Sequence, residues 1–140
     1  MSITLQLNAL INLLINQYYL YKFFQWNFEG EDFYTYRQLF DSHSIIILSS
    51  QDDIAEQIRV LQSKVSVDPI IVSLNEVITN QKNLVNILSM LEIQHDAVIL
   101  EMTEVIKLAN FSEDFATADL LADNLEKQQK MLWFITSSKK

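Results

Sequence analysis

Gly30 and Pro69 are the only glycine and the only proline in 140 residues. Sheets and barrels reverse direction every few residues and use glycine and proline to do it, so a chain this poor in both is restricted to a few long helices. Its hydrophobic fraction of 49% is too high for a disordered chain, and its length suits one domain, residues 1–140, with a proper core.

The helices can be placed from periodicity and punctuation. Residues from about Thr4 to Phe28 form the first, with apolar positions wider than one stripe: Leu7, Leu10, Leu14, Tyr21 and Phe24 on one face, and Leu13, Leu20, Phe23 and Trp26 beside it. Such a helix is buried on more than one side, which in a soluble chain points to a subunit interface. Gly30 stands where a helix C-cap wants glycine, and Asp32 can cap a second helix reaching about Ser63. Pro69 breaks the stretch 64–79, inside which Val72 to Ile78 reads as a short helix. A third helix is expected from about Asn80 to Leu108 and a fourth from about Glu113 to Thr136. Two long helices, a long crossover and two more long helices describe a four-helix bundle.

With no cysteine, the chain has no disulfide framework, thiolate metal site or cysteine nucleophile, and suits a reducing cytoplasm. The net charge of −8 opposes direct binding to nucleic acid or anionic membranes and draws cations. The apolar N-terminal stretch lacks a basic leader and is interrupted by Gln6, Asn8, Asn12, Asn16 and Gln17, so it does not read as a signal peptide, and no run is long enough for a membrane span. No phosphate loop, zinc spacing or nucleophile triad is present.

The second helix carries the clearest candidate chemistry. At about 100° per residue, Arg37, Asp41, Ile45, Leu48, Asp52 and Glu56 fall within roughly one-quarter to one-third of its circumference. Asp52 and Glu56 are four apart and can converge on one cation, and hard oxygen ligands suit iron or another divalent metal. Periodicity alone favours a solvated acidic face. A second polar set falls in the core stripes: Gln17, His43, His95 and Gln129, one per helix and at matching heights, which reads as a hydrogen-bonded layer at mid-bundle. Glu92 and His95 have Glu-x-x-His spacing, but with no carboxylate before Glu29 on the first helix a metal site inside the bundle is not adopted.

Three patches together are similar to the Dps proteins, the mini-ferritins that oxidise and store iron in a hollow shell: Gln25-Trp26-Asn27-Phe28-Glu29-Gly30, Asp41 through Leu61, and Thr117-Ala118-Asp119-Leu120-Leu121 with Trp133 beyond. The resemblance covers nearly the whole chain. It implies an all-α, ferritin-like four-helix bundle with a short helix in the crossover, assembled as a homo-oligomeric dodecamer, with iron as cargo. It also implies that Asp41, Asp52 and Glu56 match the family's carboxylate ligands at a site between two subunits, and Trp26 the tryptophan beside it. The family's two histidines are replaced by Gln25 and Arg37. Gln can offer only a weak neutral carbonyl oxygen. Arg cannot ligate, repels a metal, and four residues before Asp41 can pair with that carboxylate instead.

The resemblance therefore leaves two functions open: an iron-binding and storage shell that oxidises Fe(II) weakly if at all, or a structural or partner-binding shell without ferroxidase chemistry. Near the fourth helix, Glu113, Asp114, Asp119 and Asp123 either line a cation-guiding pore, as the family would have it, or compensate a helix dipole. Lacking a long basic extension, the chain is not expected to coat DNA. Trp26, Trp133 and the Tyr18–Tyr19 pair read as packing residues before electron relays.

Overall fold

A computed structural model of the chain describes residues 2–68 and 83–140. Four helices account for most of them: α1 (Ile3–Asn27), α2 (Phe33–Val60), α3 (Leu84–Phe111) and α4 (Phe115–Ser138). The expected helix at Val72 to Ile78 lies outside the described residues, as do residues 80–82 at the expected start of the third helix. Among those described, α3 begins after Asn83, whose side chain accepts from the Val85 amide and so caps it.

Helix α1 packs on α2 and on α3, α3 packs on α4, and α4 closes the bundle against α2. The core is the set of stripes that sequence periodicity demands: Leu7, Leu10, Leu14 and Phe24 from α1, Phe40, Ile47, Ile54 and Ile58 from α2, Leu88, Leu91, Val98 and Met102 from α3, and Leu121, Met131 and Ile135 from α4. Within each helix they are spaced so as to keep one face inward.

The chain ends its helices in two ways. After α1, the cap is Phe28, and Gly30 lies two residues further on in the connecting turn, with φ of +141°. The expected glycine cap is thus a turn glycine, and a side chain there would be strained whatever space surrounded it. Helices α2 and α3 instead close with a non-glycine left-handed residue, Gln62 (φ 66°) and Glu113 (φ 60°). Ser63 N–H donates to Ile58 C=O and Gln62 N–H to Arg59 C=O; Asp114 N–H donates to Ala109 C=O and Glu113 N–H to Asn110 C=O. Both are Schellman closures made without glycine. Glu113→Gly is accordingly expected to raise stability by about 0.5–1 kcal/mol, read as a shifted denaturant midpoint at unchanged slope.

Two of the polar residues that interrupt the apolar N-terminal stretch have work in the fold. Asn8 donates to Lys64 C=O and accepts from Ser66 N–H; Asn12 donates to Ser66 C=O and accepts from Asp68 N–H. Two asparagines one turn apart on α1 thereby hold the start of the crossover against the bundle, satisfying backbone groups that have no helix or sheet to pair with. Among the described residues no helix is long and apolar enough to cross a membrane.

Candidate functional site

The α2 row is largely solvent-facing. Ile45 is 60% and Leu48 46% exposed, and Arg37, Asp52 and Glu56 are also exposed. Asp41 is half-buried because α1 packs beside it and supplies two donors: Lys22 Nζ lies 2.9 Å from its Oδ1, and Gln25 Nε2 donates to the same oxygen at 3.2 Å. Lys22 Nζ also donates to Gln25 Oε1 at 3.1 Å, which closes a triangle. Gln25 is 3% exposed and the Lys22 side chain only 15%, so this ammonium is held against the bundle rather than waving in solvent.

That arrangement corrects two expectations. Asp41 takes its ion pair from Lys22 and not from Arg37, which acts on it only at longer range. The Gln25 carbonyl oxygen, the one weak ligand that could stand for a histidine, already accepts from the Lys22 ammonium. The hydrogen bond from Lys22, then that from Gln25, holds the Asp41 carboxyl below its usual range, with the charges of Lys22 and Arg37 adding to the effect. Reading the sequence row by row misses Lys22, although it leaves a signal. It is the only charged residue in the 25 residues of α1, on a helix where a lone charge must find a partner.

Asp52 and Glu56 follow Asp41 along α2 and make no ion pair among the described residues. Asp52 is eleven residues from Asp41, about 16 Å along the helix axis, so one copy cannot bring all three carboxylates to one cation. In keeping with that spacing, the described residues contain no group of three or more His, Asp or Glu side chains within reach of a shared ion. Trp26 is 60% exposed at the α1 end of the same region, its ring edge-on to Phe23.

The acidic group at the start of α4 divides. Asp114 is the N-cap, accepting from Thr117 N–H at 3.2 Å and from its hydroxyl at 2.6 Å, and Gln57 Nε2 donates to the Thr117 oxygen from α2. That part of the patch is helix capping and α2–α4 docking. Glu113, Asp119 and Asp123 are exposed.

The mid-bundle polar layer exists with one change of member and one addition. Gln17, His43 and His95 are buried as expected, but the α4 residue is Gln128, not Gln129. The buried stripe of α4 runs Leu121, Asn124, Gln128, Met131, Ile135, and Gln129 lies about 100° off it, in solvent. The addition is Tyr21, counted among the apolar residues by its spacing, whose hydroxyl lies 2.6 Å from His95 Nε2 and 3.0 Å from His43 Nδ1. Gln17 and Gln128 exchange amide hydrogen bonds at 2.8 and 3.0 Å, and His95 Nδ1 is 2.7 Å from Gln128 Oε1.

Gln17 Nε2 also lies 2.9 Å from His95 Nδ1, but Gln128 Oε1 can only accept, so the shorter contact sets the direction and the Gln17 amide donates to Gln128 Oε1 instead. His95 Nδ1–H donates to Gln128, so His95 Nε2 accepts from the Tyr21 hydroxyl, and Tyr21 in turn accepts from His43 Nδ1–H. The pKa of both histidines is lowered to about 4, at His43 by burial and then by the nearby His95, and at His95 by burial partly offset by the bond to Gln128. Burial pushes the Tyr21 hydroxyl well above its ordinary value. All three are neutral at neutral pH. Glu92 takes no part: both its oxygens are engaged outside the core, by Lys139 at 2.5 Å and Thr136 at 2.7 Å, so the Glu-x-x-His spacing does not bring Glu92 and His95 to one ion.

A family model, "Ferritin-like domain", matches residues 4–138. Among solved structures, Dps from Thermosynechococcus elongatus superposes with a TM-score of 0.88 at 22% identity, covering 99% of this chain and 90% of that one. The Dps protein from Vibrio cholerae O1, described as belonging to a broad superfamily of ferritin-like diiron-carboxylate proteins, gives 0.84 at 17% identity, covering 99% and 89%. The bacterioferritin-related dodecameric thioferritin of Bacteroides fragilis gives 0.84 at 20% identity, covering 97% and 83%. No curated protein sequence matches.

Proposed function

Because the chain belongs to the ferritin-like family and has the Dps fold, we propose that it is an iron-binding shell subunit whose ferroxidase centre has given way to an internal cation. The observation that supports this reading is the Lys22 ammonium, bound to Asp41 and to the Gln25 carbonyl oxygen. A fixed positive charge on one of the carboxylates, with a second on Arg37, opposes the approach of a divalent metal. Asp52 and Glu56 remain free of ion pairs among the described residues, so Fe(II) can still be gathered by those exposed carboxylates, weakly and without fast oxidation. Asp41 is the member of the expected ligand set that this reading withdraws.

The dodecamer belongs to the same proposal, brought from the Bacteroides thioferritin and supported by the exposed apolar residues on α1 and α2. A cytoplasmic location belongs to the proposal as well, and the cysteine-free composition is compatible with it. The second reading, a purely structural or partner-binding shell, is favoured by the same ammonium if Asp52 and Glu56 gather no iron.

The test is Fe(II) oxidation with hydrogen peroxide on purified protein, beside Glu56→Ala. The expected result is a rate no faster than buffer in both proteins, with Fe(II) retained on the wild type and less on the variant. Fast oxidation that disappears in Glu56→Ala would overturn the proposal, because helix carboxylates would then be oxidising iron without histidines. Retention of no iron by either protein decides for the structural shell.

A further inference from the structure

Helices α2 and α4 touch least of the neighbouring pairs in the bundle, and a cavity of about 650 Å³ opens between them. Two helix faces form its walls. Leu39, Ser42, His43 and Ile46 of α2 have the i, i+3, i+4, i+7 spacing of one face, and Ser49 continues it. Lys127, Lys130, Met131 and Phe134 of α4 have the same spacing. Such faces ordinarily close a bundle. Here the α2 serines are too short to fill the gap, and α4 offers lysines where a core residue would stand. Among the described residues no carboxylate lines the cavity. Lys127 and Lys130 are exposed and join none of the ion pairs, not even with Asp123 and Glu126, each one turn away on α4. In a chain of net charge −8, an opening with two free cations and no anion selects for an anionic occupant.

The other polar group in the wall is His43, which is only 4% exposed. Its Nδ1–H is committed to the Tyr21 hydroxyl, so Nε2 carries the lone pair. That nitrogen has no hydrogen-bond partner among the described residues, yet it is not sealed from solvent, and the cavity is where His43 meets open space. Helices α2 and α4 run antiparallel: Gln57 bonds Thr117 toward one end, and the His43 ring stands edge-on to Phe134 toward the other, 6.1 Å between centroids. The lysines therefore lie toward Ile46 and Ser49, with Lys127 about 10 Å along the axis from Phe134. An acceptor at one end, an apolar middle and two cations at the other end make up the recess.

We propose that this cavity binds a small hydroxyaryl carboxylate, with its hydroxyl donating to His43 Nε2, its ring among Ile46, Met131 and Phe134, and its carboxylate held by Lys127 and Lys130. A buried acceptor in an apolar recess takes its donor from the occupant, which calls for a hydroxyl and not a second carboxylate at that end. Lysines three residues apart on one helix face are neighbours and can converge on a single carboxylate. A flat ring packs on the Phe134 ring and beside the Met131 sulfur, and being rigid it holds the hydroxyl and the carboxylate at a fixed separation. The volume and the mostly apolar lining with a few polar groups are those of small-molecule sites in general. The proposal stands apart from the metal reading, since Lys22, Gln25, Asp41, Asp52 and Glu56 do not line the cavity.

The experiment is calorimetric titration of the full chain at neutral pH with 4-hydroxycinnamate as the probe. Two analogues run beside it: cinnamate, which lacks the hydroxyl, and methyl 4-hydroxycinnamate, which lacks the charge. Saturable binding of the hydroxy acid is expected, weaker by about three- to tenfold for cinnamate and by about tenfold or more for the ester. Lys127→Gln with Lys130→Gln is expected to bring the affinity for the acid down to that for the ester. Both lysines are exposed, so helicity by circular dichroism should be unchanged, which separates a lost site from lost folding. In nitrogen NMR the His43 Nε2 signal should move with the hydroxy acid and not with cinnamate. No saturable binding, as a groove covered by a second copy of the chain would give, overturns the proposal. So does equal affinity for the acid and its ester, or a lysine variant that binds as the wild type does. Tighter binding of octanoate than of the hydroxy acid also overturns it, by making the cavity a site for an alkyl chain.

Discussion

Tyr21→Phe is expected to cost about 2–6 kcal/mol of stability, far more than a hydroxyl deletion at the surface. The ring stays and still packs edge-on against Phe40, His43 and His95, so no large cavity opens. What disappears is the one group that is donor to His95 Nε2 and acceptor from His43 Nδ1. Two buried imidazole nitrogens lose their partner at once, and each orphaned group costs about 1–3 kcal/mol. Urea unfolding of wild type and variant at neutral pH measures it, and a loss under about 1 kcal/mol, the worth of a single ordinary hydrogen bond, would mean that the layer is not organised around Tyr21.

The same layer sets a pH dependence whose sign is fixed by the two histidines. Both have folded-state values of about 4 against an ordinary 6.5. Above pH 6.5 neither the folded nor the unfolded chain protonates them, and their contribution is fully present. Between pH 6.5 and about 4 the unfolded chain takes up protons that the folded chain refuses, so stability falls as pH falls through that window. Below about 4 the folded imidazoles protonate as well and the decline from this source ends. The ceiling is about 3 kcal/mol per histidine. A wild-type melting temperature that stays flat from neutral pH down through that window would contradict the buried neutral pair.

How much of this is legible in the sequence depends on whether a residue acts through period or through partner. The four helices follow from apolar spacing and from the scarcity of glycine and proline, because those features are local. His43, His95 and Gln17 stand out as polar residues in apolar stripes. The α4 member of the layer is off by one position because Gln128 and Gln129 are chemically identical neighbours, and only the phase of α4 against its partners selects between them. Tyr21 is hidden because an aromatic ring satisfies an apolar stripe while its hydroxyl does something the period does not record. Lys22 and Asp41 are nineteen residues apart on two helices, and no spacing rule within one helix pairs them. The i,i+4 rule offers Arg37 instead, and the side chain approaching from α1 wins.

If the proposed function holds, Lys22 is also the residue on which the site can be turned back. Replacing Gln25 and Arg37 with histidines while Lys22 remains is expected to give little, since a unit charge about 4 Å from a divalent cation costs on the order of several kcal/mol even at an effective dielectric near 20. Lys22→Ala removes that charge and releases both the Asp41 carboxylate and the neighbouring position 25. The triple variant Lys22→Ala, Gln25→His, Arg37→His is expected to raise peroxide-dependent Fe(II) oxidation by about tenfold or more over wild type, the scale on which rebuilding a metal's surroundings acts. The double variant that keeps Lys22 is the decisive control. If it oxidises Fe(II) as fast as the triple variant, the ammonium was never the obstacle and the missing histidines alone explain a quiet centre. If the triple variant stays at the buffer rate while sedimenting as the wild type does, Asp41 does not face a metal position at all, and the triangle of Lys22, Gln25 and Asp41 is a structural tie between α1 and α2.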